Sequence, residues 1–216
     1  MNSIQEHCCG ADQLFDLKTA QKQYRKYIKK GPGRVTQKII DQLSNFSIHQ
    51  EDVLIDVGGG IGALQWWFLS QNGKNTVGVD ASSGYQKIAN KHALDLNLSD
   101  RSTQLFGDFA CLDLSALKGN YVTLDKVICC YPDFKSVLQK AVNTQPEVIS
   151  LSYPLHGYLA SIIRGFGVLF MKILGTSFKP YVHNGKHVQL LLIDLGYQLK
   201  YQDILFPWRI QTFVKM

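Results

Sequence analysis

Two acids and a run of glycines are the residues of this sequence with the clearest potential for chemistry. In the segment LIDVGGGIGALQWW, residues 54–67, an apolar run ends at Asp56 and is followed by glycines at 58–60 and at Gly62. A second apolar run ends at Asp80. Glycines between a strand and a helix let a ligand approach the backbone and leave helix N–H groups free to bind it. The spacing therefore indicates a ligand site at this turn.

Two kinds of nucleoside ligand fit this spacing. GGGIGA satisfies the dinucleotide pattern G-x-G-x-x-A, and the same stretch satisfies acid-x-G-x-G-x-G. Asp80 suits both ligands, because each offers ribose hydroxyls to a carboxylate. Asp56 favours S-adenosylmethionine, because a carboxylate is repelled by the phosphates of a dinucleotide but attracted by a sulfonium and an ammonium group. The alternatives to an enzyme that uses S-adenosylmethionine are a NAD-dependent oxidoreductase and a non-catalytic S-adenosylmethionine-binding protein.

Strand and helix patterns alternate along the chain and position these acids. We predict an α/β fold with a Rossmann-like doubly wound sheet, mainly parallel, with an antiparallel C-terminal strand pair and helices on both faces. Open sheets of this kind bind ligands at the carboxyl ends of their strands. The predicted strands are 52–57, 76–82, 102–109, a fourth within 121–133, 146–154 and a hairpin over 198–216; the helices are 61–71, 84–97, an apolar helical region 158–175, and 186–197.

The length of 216 residues predicts a single domain, 1–216. Residues 1–50 would form an N-terminal helical cap, 51–150 a cofactor-binding core, and 151–216 a lid helix region with the C-terminal strands. Five cysteines, four of them in adjacent pairs, argue against a disulfide framework, and the N-terminus is polar without an apolar signal region. These features predict a cytoplasmic protein.

The positive charge is concentrated in one segment. Between Lys18 and Lys38 there are eight Lys or Arg and no acid, whereas the rest of the chain carries 15 basic and 17 acidic residues. Tyr24 and Tyr27 lie among the basic residues of this predicted helix. Its basic face is either a solvated surface or a patch for an acidic substrate, an anionic lipid or RNA.

On these motifs the sequence resembles the class I S-adenosylmethionine-dependent methyltransferases, from about residue 50 onward. Segment 56–62 matches the first motif of that family, GVDAS (78–82) the second, GDF (107–109) the third, and VTLDKVICCYPD (122–133) the segment of strand four. The resemblance implies that Asp80, in the second motif, holds the ribose and that Asp108, in the third motif, lies near the adenine amino group. It implies S-adenosylmethionine as cofactor, bound by Asp56, Gly58, Gly59, Gly60, Asp80, Ala81, Asp108, Phe109 and Asp125. More narrowly, HCCGADQLFD, CCYPD and FKPYVHN resemble small bacterial members with an N-terminal double cysteine.

The reaction implied is transfer of a methyl group by in-line displacement, in which the enzyme aligns the two reactants and excludes water. A general base is optional if the acceptor atom is already reactive. A base or positioning group is expected after strand four or in the cap. The candidates are Asp125, Tyr131, Tyr153 and His183, although Asp125 could instead lie near the methionine part of the cofactor.

The acceptor is expected to be a small, partly apolar molecule, lipophilic or aromatic. CCYPD differs from the [DN]-P-P-[YF] of many amino methyltransferases and reverses the Pro-Cys order of RNA cytosine methyltransferases, so nucleic acid is not expected as a partner. The apolar segment 156–175 is interrupted by Arg164 and Lys172, so it is a poor transmembrane span. It is either a core helix or an apolar wall for the acceptor. In the second interpretation, this wall and the nearby basic helix would make peripheral contact with a membrane surface. The oligomeric state stays open.

Four cysteines, together with His7, are also candidate metal ligands. Cys8, Cys9, Cys129 and Cys130 come as adjacent pairs, whereas zinc sites normally use C-x2-C spacing. We therefore expect buried, weakly reactive thiols and no metal.

Overall fold

A computed structural model of the chain describes residues 12, 14–156 and 180–216. Six α-helices, two short 3-10 helices and seven strands are defined within these residues. The helices are α1 (Leu17–Lys30), α2 (Arg34–Leu43), α3 (Ala63–Ser70), α4 (Ser83–Asp95), α5 (Phe134–Asn143) and α6 (Gly185–Asp194). The strands are β1 (Val53–Val57), β2 (Asn75–Asp80), β3 (Ser102–Phe106), β4 (Tyr121–Asp125), β5 (Val148–Pro154), β6 (Tyr197–Leu205) and β7 (Trp208–Lys215).

The strands form one sheet in the order β3-β2-β1-β4-β5-β7-β6. The first five strands run parallel, so their carboxyl ends meet at one edge. Strand β7 is antiparallel to both of its neighbours and places Trp208 opposite Pro154, at that same edge. The predicted mainly parallel sheet with an antiparallel C-terminal strand pair is confirmed.

Helices cover both faces of the sheet, as predicted. Alternate residues of β1 point to opposite faces, so Leu54 packs with α2 and α3 while Ile55 packs with the cluster that includes α5 and α6. Both side chains are fully buried. Burial on two faces explains why β1 is a continuous apolar run in the sequence.

Helices α1 and α2, which are called the cap below, differ in how deeply they are buried. Asp16 begins α1 by accepting a hydrogen bond from the backbone N–H of Thr19 at 2.8 Å. Only Ala20 of α1 is fully buried, in a small cluster with Ile61, Tyr85 and Ile88. By contrast, α2 buries half of its ten residues against the sheet and α3. The cap therefore consists of a firmly embedded α2 and a more superficial α1.

Two predicted strands are longer than the strands observed in the structure. The second strand ends at Asp80 rather than at 82, and the third ends at Phe106 rather than at 109, because the chain leaves the sheet at those points. Most of the apolar segment 156–175 lies outside the described residues. Among the residues that are described, none of the helices has the length and apolar character needed to span a bilayer.

Candidate functional site

The turn between β1 and α3 is shaped by its glycines. Gly58 has φ +63° and donates its N–H to Val79 O at 2.7 Å, which ties the turn to the neighbouring strand. A Cβ atom at Gly58 would lie 2.5 Å from a methyl carbon of Val127. The positive φ and this close approach both require glycine. The turn thus runs directly against the loop that follows β4, and it leaves backbone exposed to the space above the sheet edge.

Asp80 is the carboxylate at the end of β2, and it is held in place by two backbone donors. Its Oδ2 accepts the N–H of Gly60 at 2.9 Å, and its Oδ1 accepts the N–H of Ser82 at 2.8 Å. Burial raises the pKa of Asp80 to about 6, against the lowering effect of these two hydrogen bonds. Each carboxylate oxygen can accept a second hydrogen bond, so Asp80 can bind a pair of hydroxyls without releasing the turn.

Asp56 is more deeply buried, with 2% of its surface exposed. Its Oδ1 accepts a hydrogen bond from the hydroxyl of Thr123 at 2.6 Å, and its Oδ2 accepts one from Nε2 of Gln65 at 3.3 Å. Burial raises the pKa of Asp56 to about 7, in spite of these two donors. A positive charge placed beside this carboxylate would favour its ionised form. Asp56 is therefore suited to a cationic ligand.

Gln65 was not anticipated from the sequence. It lies on α3, is fully buried, and accepts a hydrogen bond from Nε2 of Gln104 on β3 at 2.5 Å while donating to Asp56. A Cβ atom at Gly78 would lie 2.5 Å from Nε2 of Gln65, so that glycine makes room for the amide. The signal in the sequence was a glutamine among the apolar residues of the helix ALQWWFLS. Gln104 thus orients the amide of Gln65, and that amide in turn orients the carboxylate of Asp56.

Asp125, at the end of β4, connects the core to the cap. Its Oδ2 accepts a hydrogen bond from the hydroxyl of Thr36 on α2, and its Oδ1 accepts one from Ser152 on β5, each at 2.6 Å. Lys126 follows with φ +61° and forms an ion pair with Asp125 at 3.5 Å. Asp125 is thereby held at the point where β4, β5 and α2 meet.

Asp108 and Tyr131 form a pair beside this edge. The hydroxyl of Tyr131 donates to Oδ1 of Asp108 at 2.6 Å, and the same oxygen accepts the N–H of Ala110 at 2.9 Å. The Asp108 side chain is therefore committed to protein donors, while its neighbours Gly107 and Phe109 line the cavity described below. The assignment of Asp108 to the adenine amino group stays a prediction.

His183 and Tyr153 lie away from the centre of the site. Nε2 of His183 lies 2.9 Å from Ile128 O and 3.0 Å from Tyr131 O. Since both are acceptors, this nitrogen carries a proton, and burial lowers the pKa of the ring. Tyr153 is buried and donates to Gln211 at 2.6 Å. Neither residue belongs to the described lining of the cavity, so His183 is placed to support the Tyr131 loop.

A cavity of about 480 Å³ opens at the carboxyl edge of the sheet. Its walls combine the glycine turn, the strand ends, the cap and the start of β7. Of the residues predicted from the sequence, it brings together Asp56, Gly58, Gly59, Gly60, Asp80, Ala81, Phe109, Asp125 and Tyr131. The cap contributes Gln23, Lys26, Tyr27, Gly31, Pro32, Gly33 and Thr36. The volume falls within the range of about 300–1,000 Å³ that is usual for small-molecule sites.

Trp208 and Lys126 are among the cavity residues to which the sequence analysis gave no individual role. Trp208 belongs to the C-terminal hairpin and reaches the cavity because β7 returns antiparallel beside β5. Lys126 also lines it and has a left-handed backbone conformation. Nothing in the pattern of either segment distinguished these two residues from ordinary surface residues.

The paired cysteines of the loop after β4 also line the cavity. The thiols of Cys129 and Cys130 lie 3.3 and 3.6 Å from Lys126 O. A hydrogen bond with Cys129 and burial hold the pKa of the Cys130 thiol well above its ordinary value, so it is protonated at neutral pH. Cys8 and Cys9 lie outside the described residues. In the described ranges no three His, Cys, Asp or Glu side chains are grouped to hold a metal ion.

Comparison with known proteins gave matches among solved structures alone. No protein-family model matches the chain, and no curated protein does. The magnesium protoporphyrin IX methyltransferase of Synechocystis, solved with S-adenosylmethionine, is 17% identical with a TM-score of 0.69, and the match covers 100% of both chains. The same enzyme with bound S-adenosylhomocysteine matches at a TM-score of 0.62 and 18% identity, over 100% of this chain and 89% of that one.

Two further solved methyltransferase structures also match the chain. A putative sarcosine dimethylglycine methyltransferase from Galdieria sulphuraria is 12% identical with a TM-score of 0.66, over 84% of this chain and 85% of that one. The O-methyltransferase of neocarzinostatin biosynthesis, in complex with S-adenosylmethionine and 2-hydroxy-5-methyl naphthoic acid, is 18% identical with a TM-score of 0.57, over 76% and 49%. At these identities the similarity establishes that the chain has the Rossmann-like fold of these methyltransferases.

Proposed function

We propose that this chain is an S-adenosylmethionine-dependent methyltransferase acting on a small, partly apolar acceptor. The observation that carries the proposal is the pair of buried carboxylates on either side of the glycine turn. Asp80 is pinned to the N–H of Gly60 with acceptor capacity left for two hydroxyls, and Asp56 lies beneath the same turn with a raised pKa. One ligand that offers both ribose hydroxyls and positive charge satisfies both acids.

The residues present fit this cofactor. The cavity runs from Phe109 and Ala81 at the ends of β3 and β2, across the glycine turn, to Asp125 at the end of β4. The apolar side chains at the first end suit a purine ring, the turn and Asp80 suit the ribose, and Asp56 suits the amino acid portion. The carboxylate of Asp56 would be repelled by the phosphates of a dinucleotide, so the same lining argues against NAD.

When bound, S-adenosylmethionine supplies an electrophilic methyl group on a sulfonium. The chain's own contribution is alignment and exclusion of water. Tyr27 and Pro32 of the cap, together with Phe15, cover the cavity above the strand ends. Thr36 fastens the cap to Asp125 at 2.6 Å, which fixes the cover relative to the reacting end. The cap thus excludes water from the point at which the acceptor meets the methyl group.

We place the acceptor beside Asp125 and Tyr131, the two proposed catalytic residues that line the cavity. Asp125 accepts hydrogen bonds from two hydroxyls and can orient an acceptor that donates a proton. Tyr131 is hydrogen bonded to Asp108, which fixes its ring at the wall. We assign His183 a positioning role, through the carbonyls of Ile128 and Tyr131. The apolar cavity walls support a small aromatic acceptor, in line with the naphthoic acid bound by the neocarzinostatin enzyme. Reduced cysteines support a cytoplasmic location.

The test is a titration followed by a transfer assay. Isothermal calorimetry with S-adenosylmethionine, S-adenosylhomocysteine and NAD should show binding of the first two alone. Methyl-labelled S-adenosylmethionine incubated with the protein and a small-molecule extract should then give a labelled product, in lower yield with Asp80→Ala at a subsaturating concentration of the cofactor. Binding of NAD in place of S-adenosylmethionine, or binding without any labelled product, would contradict the proposal.

A further inference from the structure

Lys126 is held in a conformation that non-glycine residues seldom adopt. Its φ is +61°, in the left-handed region. The backbone N–H donates to both O and Oγ of Ser152, at 3.1 and 2.9 Å, and the carbonyl accepts from the thiols of Cys129 and Cys130. Such conformations persist where surrounding contacts over-determine them, and they cluster at ligand sites. Here four contacts fix the direction in which the lysine side chain leaves the backbone.

The ammonium group of Lys126 is only loosely paired. Its Nζ lies 3.5 Å from Oδ2 of Asp125, longer than the ~2.7–2.9 Å of a charge-assisted hydrogen bond. Asp125 already accepts 2.6 Å hydrogen bonds at both oxygens, from Thr36 and Ser152. Within the described residues no hydrogen-bond acceptor is assigned to Nζ, and the side chain is 38% exposed. The group therefore keeps the capacity to bind an anion.

An aromatic surface lies beside this charge. Nζ of Lys126 is 5.5 Å from the centre of the Trp208 ring, and both residues line the cavity. Trp208 begins β7 opposite Pro154, and Lys126 follows β4, so the pair sits at the β4–β5–β7 side of the edge. The turn and Asp80 lie at the β1–β2 side. The lysine and the indole therefore line the part of the cavity that the proposed cofactor leaves to the acceptor.

We infer that the methyl acceptor is an aromatic or other planar apolar carboxylic acid, whose carboxylate pairs with Lys126 and whose ring lies on Trp208. The inference rests on the proposed function, since it assigns the acceptor side by the position of the cofactor. A carboxylate supplies the acceptor that Nζ lacks, and a planar ring supplies the contact that an indole face favours. A neutral ring would give the ammonium no closer acceptor than Asp125, and a cation would be repelled by it.

The test uses matched pairs of probes. Benzoate, 2-naphthoate and indole-3-acetate are titrated by calorimetry in saturating S-adenosylhomocysteine, each against the corresponding neutral alcohol. We expect at least one acid to bind about tenfold or more tightly than its alcohol. Lys126→Gln should abolish this preference, and Lys126→Arg should retain it. Lys135→Gln, an exposed lysine at the start of α5 outside the cavity lining, should behave as the wild type.

Each other result has a defined meaning. If no acid in the panel is preferred, or if Lys126→Gln keeps the preference, the inference is wrong. If Lys126→Gln weakens S-adenosylhomocysteine itself about tenfold, the lysine binds the carboxylate of the cofactor and the inference is also wrong. Unchanged S-adenosylhomocysteine affinity shows that the variant is folded. Failure of the wild type to bind S-adenosylhomocysteine would instead contradict the proposed function, and the two failures are thereby distinguished.

Discussion

Replacing Asp56 by Asn should make the free protein more stable at pH 8. Burial raises the pKa of Asp56 from its ordinary value of 3.8 to about 7. Because the folded pKa is the higher one, the stability that Asp56 contributes is fully present below about pH 4 and is lost as the pH rises to about 7. At about 1.4 kcal/mol per pKa unit, ionising this carboxyl in the folded protein costs about 4 kcal/mol above pH 7.

The asparagine removes that cost but loses part of the hydrogen bonding. Its carbonyl can still accept from Thr123, whereas its NH2 group faces the NH2 group of Gln65. Loss of that contact costs about 1–2 kcal/mol, so the net gain is about 2 kcal/mol. For a protein of this length, such a gain corresponds to a rise in Tm of roughly 4–8 °C. At pH 5, where Asp56 is protonated in the folded protein, the same variant should gain nothing.

Thermal denaturation of the free protein at pH 5 and pH 8 measures this effect, with Asp100→Asn as a control for the same charge change at an exposed position. Affinity for S-adenosylmethionine, measured by calorimetry at pH 8, should fall about tenfold in Asp56→Asn with no gain for NAD. A Tm at pH 8 no higher than that of the wild type would refute the burial argument. Full affinity for S-adenosylmethionine would refute the charge argument that separated the two cofactors.

Three further substitutions test the site. Asp80→Ala should weaken S-adenosylhomocysteine binding by about 1–3 kcal/mol in calorimetry, because the hydroxyls lose their partner and the Gly60 N–H loses its anchor. Thr36→Val should lower the free energy of unfolding in urea by about 1–3 kcal/mol through loss of the 2.6 Å hydrogen bond to Asp125, and Thr36→Ser should not. Gly58→Ala should lower the free energy of unfolding by about 1–3 kcal/mol in the same assay, because Gly58 has a φ of +63° and an added Cβ would contact Val127. Partial recovery of stability in a Val127→Ala background would assign part of this loss to the contact with Val127. Wild-type behaviour of any of these variants would remove the role given to that residue.

The sequence predicted the parts of the site that depend on local pattern. A continuous apolar run ending in Asp56 and glycines indicates a buried parallel strand and a ligand turn, and the structure has β1 and its turn at these residues. Asp80 follows from the same reasoning, because parallel strands bring their carboxyl ends to one edge. These inferences need only the pattern of apolar residues along each strand and the direction in which the strands run.

The remainder depends on contacts between distant parts of the chain. The burial of Gln65 requires Gln104, 39 residues away, and nothing in the helix alone distinguishes a paired glutamine from an exposed one. Trp208 enters the cavity only because β7 pairs with β5, and the order of strands in a sheet is not written in the pattern of any one strand. The conformation of Lys126 requires Ser152 from the neighbouring strand. Sequence reasoning therefore named more residues on the glycine-turn side of the cavity than on the side formed by β4, β5 and β7.

The position of β7 has a consequence for how this chain matures during translation. The strand that lies between β5 and β6 is made after both of them. Until β7 has joined the sheet, β5 has one open edge and β6 lacks its neighbour among the described strands. Open strand edges pair readily with other chains. The interval before β7 joins the sheet is thus a period of aggregation risk, and chaperone dependence should be greatest for chains that have released β5 but not yet β7 from the ribosome.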